Sequence, residues 1–117
     1  MMNLLDKTDK QILDIVTPIV DNMMEGSTEI NHGKHCRDFT ERMRKIVTKE
    51  WLEYVCKDYQ SRWGFFRKRE FVALFRRKQS VALVWRQYSS NTTDEHMTEV
   101  VFVEKDGQLL IDHAMVF

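Results

Sequence analysis

The stretch TEVVFVEKDGQLLIDHAMVF, residues 98–117, decides the fold of this chain. Both halves are rich in Val, Leu, Ile and Phe, residues that fit the half-buried surface of a β-sheet. Asp106-Gly107 between them is a strong signal for a two-residue hairpin turn. The stretch therefore predicts two antiparallel strands, residues 97–105 and 108–116.

The turn also predicts which residues stand opposite each other: Lys105 and Gln108, Phe102 and Ile111, Val100 and His113, Thr98 and Met115. Neighbours along a strand point to opposite faces, so His113 shares a face with Phe102 while Asp112 lies on the other one. We expect the helices to cover the bulkier face, that of Phe102. His113 is then a pocket residue, and it cannot form a dyad with Asp112.

The second face of this hairpin is also apolar, since it carries Val101, Val103, Leu110, Ala114 and Val116. A sheet with one wet face alternates apolar and polar residues, so both faces here need a cover. Three short helices can cover only one of them. The sequence therefore predicts a homodimer whose interface includes these five side chains, with residues 1–9 as the alternative cover.

Outward from the hairpin, the period of two continues through residues 70–76 and 80–88, with a turn at 77–79 and a longer connection at 89–96. The first half has helical spacing instead. It predicts helices at 9–24, 38–47 and 49–62, with Gly26 and Ser27 ending the first, a loop at 25–34, and a kink or break near residues 14–18 at Pro18. The fold class is α+β: N-terminal helices packed on a curved antiparallel sheet of about four strands, in one domain spanning residues 1–117.

The stretches TKEWLEYVCKDYQSRWGFF (48–66), SVALVWRQYSSNT (80–92) and 98–117 resemble the last helix, central strand and terminal hairpin of small nuclear transport factor 2-like, cystatin-like proteins. The resemblance implies a cone, in which a curved sheet wraps around helices and encloses a pocket. Many of these proteins dimerise through the outer sheet face, so the resemblance also implies dimerisation of this chain. Ketosteroid isomerases and polyketide cyclases of this superfamily hold an acid and a hydrogen-bonding group inside the cone, and no motif of theirs aligns here.

Composition places the chain among ordinary globular domains, with 117 residues of which 43% are hydrophobic and 31% charged. The N-terminus lacks a signal-peptide pattern, and no apolar run is long enough to span a bilayer. Two cysteines, Cys36 and Cys56, do not make a disulfide framework. We expect a soluble, cytoplasmic protein that has no membrane partner.

Charge is uneven although the formal total is zero: residues 34–78 carry 14 Lys and Arg against 6 Asp and Glu. Within that segment the run WGFFRKREFVALFRRK (63–78) interleaves basic and aromatic residues, a composition typical of single-strand nucleic-acid binding. The candidate basic patch is Arg67, Lys68, Arg69, Arg76 and Arg77. Zero net charge argues against strong binding to nucleic acid.

Two groups of residues are candidates for a site. His32, His35 and Cys36 could ligate zinc, but a structural site needs a fourth ligand, from Cys56, His96 or Asp38, so we interpret them as polar loop residues and predict neither metal nor cofactor. The candidate pocket residues are Tyr59, Trp63, Trp85 and His113, with packing as their alternative role.

No glycine-rich phosphate loop, Gly-x-Ser-x-Gly elbow or Cys-x-x-Cys occurs, so no common nucleotide, hydrolase or thiol-redox motif marks the chain. Three functions stay open. The first is a non-catalytic ligand-binding or interaction domain that homodimerises through its sheet. The second is a small isomerase- or cyclase-type enzyme that uses His113 with a nearby acid. The third is a nucleic-acid or phosphate binder.

Overall fold

The computed structural model describes residues 2–117, in which four helices precede four strands. After a 3-10 turn at Leu4–Asp6 come α1 (Asp9–Glu29), α2 (His32–His35), α3 (Glu41–Ile46), α4 (Lys49–Trp63), β1 (Phe66–Arg76), β2 (Ser80–Ser89), β3 (Thr92–Lys105) and β4 (Gln108–Val116). This order confirms the predicted α+β class. Within residues 2–117, no helix combines the length and apolarity needed to cross a bilayer.

The strands form one antiparallel sheet in the order β1-β2-β3-β4. The turn at Asp106-Gly107 is confirmed, since both residues have the positive φ (53° and 80°) that a two-residue hairpin turn requires. The predicted long connection at 89–96 is wrong. β2 extends to Ser89 and β3 begins at Thr92, because Ser90-Asn91 alone closes the hairpin and the threonines that follow favour a strand.

Helix α1 is longer than predicted and contains Pro18. Its N-terminus is capped by Thr8, whose hydroxyl accepts from the Gln11 amide while the Gln11 side chain accepts from the Thr8 amide. The helix is not broken at Pro18, which lies on the exposed side, where water can solvate the carbonyl that the proline leaves unpaired. It ends beyond Gly26, at Ile30 in the left-handed region (φ 52°).

The segment between α2 and α3 covers the open edge of the sheet. The prediction of one helix over residues 38–47 is wrong, because Phe39 forms a parallel bridge with Ile111 of β4. The Thr40 amide donates to the Ile111 carbonyl (2.9 Å), and the Ile111 amide donates to the Asp38 carbonyl (2.8 Å). Only Glu41–Ile46 is helical. Helix α4, in contrast, matches its prediction to within a residue.

The core lies between the helices and one face of the sheet, here called the inner face. Side chains fully buried there include Val16, Val20, Leu83, Phe102 and Ile111. The N-terminal segment joins this core: Leu4 is fully buried, and the carbonyl of Lys7 accepts from the Arg76 guanidinium. Residues 2–9 therefore do not cover the opposite, outer face of the sheet, and Met1 lies outside the described residues.

A β-bulge in β4 overturns the predicted orientation of His113. The pairs run as predicted from Lys105–Gln108 to Phe102–Ile111, but Val101 then pairs with His113, so that Asp112 has no partner across the ladder. Every later residue of β4 is thereby turned over. His113 lies on the outer face, and the inner face receives Ala114 and Val116 instead.

Candidate functional site

An apolar cavity of about 560 Å³ lies between α1, α4 and the inner face of β3 and β4. Its walls include Met23, Met43, Leu52, Val55, Ala114 and Val116. Three further lining residues are about half exposed and mark the mouth: Trp51 (48%), Met115 (52%) and Phe117 (53%). The volume falls within the range of small-molecule sites, roughly 300–1,000 Å³.

A closed hydrogen-bond cluster forms part of the wall where α1 meets α4. The hydroxyl oxygen of Ser27 is 2.8 Å from the Tyr59 hydroxyl and 3.3 Å from the Cys56 sulfur. The Gln60 amide donates to the Tyr59 hydroxyl (3.4 Å). Burial raises the pKa of both Tyr59 and Cys56, so both are protonated and uncharged at neutral pH.

His35 brings an imidazole to the same cavity. Its Nδ1 lies 2.8 Å from the carbonyl oxygen of Met23, which can only accept, so Nδ1 carries the proton. Burial lowers the pKa of His35, and the ring is therefore neutral at pH 7. Nε2 is then a bare acceptor, and no group within residues 2–117 hydrogen-bonds to it.

The sheet side of the cavity carries His96 and Thr98. The His96 ring stacks on Trp63 with centroids 4.0 Å apart, and its buried Nδ1 has no partner within residues 2–117. The Thr98 hydroxyl donates to the Gln87 side chain (2.9 Å). The charged groups of the lining, Arg62 and Asp58, pair with each other at 2.7 Å. The carboxylate and the guanidinium of the lining thus neutralise each other.

Of the four predicted pocket residues, the structure places Tyr59 and Trp63 on the cavity wall. Trp85 is buried in the core instead, edge-on to Phe71 and beneath the Arg69 guanidinium. His113 lies on the outer face, where its Nε2 is 2.8 Å from a Glu99 carboxylate oxygen. The sheet therefore separates His113 from the cavity.

The candidate zinc ligands do not converge. His32 bonds through Nε2 to the Val47 carbonyl (2.8 Å), and His35 bonds to Met23. Cys36 is a buried free thiol whose pKa is raised by that burial. Across residues 2–117, no three His, Cys, Asp or Glu side chains are grouped in a way that would hold a metal ion.

The five residues of the candidate basic patch are divided between the two faces of the sheet. Arg69 and Arg76 lie on the helix side and pair with acidic residues of α1, Asp21 and Asp9. Lys68 turns to the outer side, over the Tyr88 ring and 3.6 Å from a Glu70 oxygen. Arg67 and Arg77 are exposed. These positions do not make one continuous basic surface.

The outer face has an apolar centre, but its membership differs from the prediction. Val101, Val103 and Leu110 share it with neighbours from β1 and β2, namely Phe75, Ala82 and Val84. Phe75 is 56% exposed. Because of the bulge, Ala114 and Val116 belong to the cavity wall and not to this outer patch. The six apolar residues Phe75, Ala82, Val84, Val101, Val103 and Leu110 are called the outer patch below.

Sequence reasoning considered His35 only as a metal ligand and missed it as a cavity residue. No local pattern marks this role, because the position of His35 depends on Gly26, nine positions earlier in the chain. A Cβ atom on Gly26 would lie 2.5 Å from the His35 backbone nitrogen, so this glycine allows α2 to pack directly on α1. That close approach brings His35 against Met23 and onto the cavity wall.

Comparison with known proteins supports the fold. A five-substitution variant named Rd1NTF2_05 is 14% identical, with a TM-score of 0.61 over 89% of this chain and 97% of that one. Bd1075 of Bdellovibrio bacteriovorus is 12% identical (TM-score 0.54, 92% of this chain and 40% of that one). RPA3114, a SEC-C motif containing protein from Rhodopseudomonas palustris, is 8% identical (TM-score 0.54, 97% and 98%).

No protein-family model matches the chain, and no curated protein matches it significantly in sequence. Identities this low show the fold alone. The chain has the nuclear transport factor 2-like fold, as the resemblance of its last helix and terminal hairpin implied.

Proposed function

We propose that this domain is a non-catalytic binding domain that holds a small, largely apolar ligand in the cavity between α1, α4 and the sheet. The observation that carries the proposal is the cavity itself, about 560 Å³ and lined mainly by apolar side chains. Apolar surface moved from water into such a site contributes about 25 cal/mol per Å². A ligand that fills the cavity therefore gains affinity without needing a charged partner.

The position of His113 argues against the enzyme alternative. That alternative required His113 and an acid inside the cone, but His113 pairs with Glu99 on the outer face. Of the ionisable groups that line the cavity, His35, Cys56 and Tyr59 are neutral, Arg62 and Asp58 pair with each other, and Nδ1 of His96 has no acid bonded to it within residues 2–117. This arrangement favours binding over acid-base chemistry.

The nucleic-acid alternative is also weakened, because Arg69 and Arg76 are paired with Asp21 and Asp9. Dimerisation through the outer patch remains part of the proposal. In support, residues 2–9 pack on the core side of the sheet and do not cover that patch. We further propose a reducing, cytoplasmic location, which two buried free thiols, Cys36 and Cys56, support.

Fluorescence titration with N-phenyl-1-naphthylamine, a neutral apolar probe, tests the binding proposal. Wild-type protein should bind the probe saturably. Ala114→Trp places an indole into the cavity and should weaken binding at least tenfold. Thr93→Trp is the matched control, because Thr93 is exposed on β3 and does not line the cavity. Equal binding by both variants and wild type would contradict the proposal, as would no saturable binding by wild type.

A further inference from the structure

We infer that the cavity selects uncharged apolar ligands that carry a hydroxyl group, such as an alkylphenol, and that Nε2 of His35 accepts the hydrogen bond from that hydroxyl. The inference rests on the proposed binding function and names the ligand class of the same cavity. Three observations carry it: the tautomer of His35, the pairing of Arg62 with Asp58 in the lining, and the hydrogen bonds that already engage the hydroxyl groups of the lining.

The tautomer of His35 is set by its partner. The Met23 carbonyl fixes the proton on Nδ1, and the surroundings of the ring keep it uncharged. Nε2 therefore carries a lone pair and no proton on a ring that lines the cavity. A ligand that offers an O–H satisfies this lone pair, whereas one that offers only an acceptor, such as an ether oxygen, leaves it unpaired.

The lining favours an uncharged ligand. Its cationic group, Arg62, and its anionic group, Asp58, already neutralise each other at 2.7 Å. Burying a charged ligand would remove its hydration without supplying a counter-charge, which is costly in a mainly apolar cavity. A carboxylate or an ammonium compound of the same shape should therefore bind more weakly than the phenol.

The hydroxyl groups of the lining are already engaged with other side chains, and Nδ1 of His96, which has no partner within residues 2–117, is itself fully buried, so that a ligand cannot reach it without moving the ring. The Ser27 hydroxyl lies within hydrogen-bond distance of Tyr59 and Cys56, and the Thr98 hydroxyl donates to Gln87. A ligand that bonded to these groups would have to displace a bond that exists, whereas Nε2 of His35 requires no displacement. This difference makes His35 the anchor and Ser27 the matched control.

The test compares three probes of one shape: 4-butylphenol, butylbenzene and 4-butylbenzoate, titrated by competition against N-phenyl-1-naphthylamine at pH 8. We expect the wild-type protein to bind 4-butylphenol at least tenfold more tightly than either of the others. In His35→Phe the phenol should bind no more tightly than butylbenzene, because its hydroxyl is left without a partner. In Ser27→Ala the preference for the phenol should persist. The ratio of two affinities in one variant is insensitive to a general loss of stability.

Each result decides a different question. Equal binding of phenol and butylbenzene by wild type overturns the inference but leaves the apolar binding function intact. A phenol preference that survives in His35→Phe overturns the role of His35. Tighter binding of the benzoate overturns the assignment of an uncharged ligand. Failure of all three probes and of the fluorescent probe overturns the proposed function itself.

Discussion

His35 couples the stability of the fold to pH, since burial lowers the pKa of its imidazole in the native state, with His32 nearby adding to the effect. The unfolded chain binds a proton near the ordinary pKa of 6.5, but the native protein does not until the pH is lower. Above pH 6.5 the imidazole of His35 should therefore have no effect on the unfolding free energy. As the pH drops from 6.5 through the native pKa, the unfolding free energy should fall.

His35→Gln removes this titration while keeping an N–H donor for the Met23 carbonyl. Urea unfolding at a series of pH values between 7.5 and 5 should give a shallower decline for the variant than for wild type. The rest of the sequence is the same in both proteins, so the difference between the two curves isolates His35. Parallel curves would show that His35 is not held neutral by the fold.

Gly26 allows α1 and α2 to pack closely, because it lies directly against the backbone of His35. Helix propensity alone predicts that Gly26→Ala stabilises α1 by about 1 kcal/mol. The added Cβ would instead lie 2.5 Å from the backbone nitrogen of His35 and 2.7 Å from its Cα. Backbone atoms cannot give way as a flexible side chain does, so we expect a net loss of roughly 1–3 kcal/mol in urea unfolding.

Gly33→Ala is the matched control, because Gly33 lies in α2 and its Cβ would meet nothing closer than 3.8 Å. This variant should be neutral or slightly stabilising. If Gly26→Ala were as stable as Gly33→Ala, the close approach of α2 to α1 would be wrong. The sequence alone pointed to Gly26 as a helix end, since a contact between residues nine positions apart leaves no local pattern.

At the scale of elements, the bulge in β4 depends on contacts with α3 and the residue before it. Asp112 accepts hydrogen bonds from the Thr40 hydroxyl (2.8 Å) and from the Arg42 guanidinium (3.1 Å). Burial alone would raise the pKa of Asp112, but these hydrogen bonds outweigh it and lower that pKa. The carboxylate thus holds the extra residue of the strand in place.

Asp112→Ala should lower the unfolding free energy by roughly 1–3 kcal/mol, because hydrogen bonds to a charged group are lost. Urea unfolding measures this, with Asp94→Ala as the control: Asp94 is exposed on β3 and should stay within about 0.5 kcal/mol of wild type. A similarly small effect at both positions would show that Asp112 does not stabilise the bulge.

The same element shows how far sequence reasoning reaches. The strands, the Asp106-Gly107 turn and the register as far as Phe102–Ile111 follow from local patterns. The bulge does not, because it is stabilised by Thr40, which is 72 positions away from Asp112. The bulge shifts the register of β4 by one residue, which places His113 on the outer face and Ala114 on the cavity wall. The cavity wall could therefore not be predicted from the hairpin alone.

At the scale of the whole molecule, the outer patch should make the protein a dimer. Val101 lies at its centre, between Ala82 on β2 and His113 on β4. Val101→Asp would bury an unpaired carboxylate in a dimer interface, which costs several kcal/mol. Light scattering at micromolar concentration should therefore find a wild-type dimer and a largely monomeric variant.

Thr93→Asp, an exposed position on the same strand, is the control and should remain dimeric. A wild-type monomer under these conditions would contradict the dimer proposal. The cavity proposal would be unaffected, since the outer patch and the cavity lie on opposite faces of the sheet.

We propose that the space between α4 and the inner face of β3 and β4 holds an apolar ligand. Crystals grown with 4-(4-bromobutyl)phenol test this proposal, because anomalous scattering locates the bromine independently of how the ligand is built. We expect one bromine peak inside the cavity, near Val55 and Ala114, with the phenol oxygen within hydrogen-bond distance of Nε2 of His35. Bromine found only on the outer patch, with an unoccupied cavity, would contradict it.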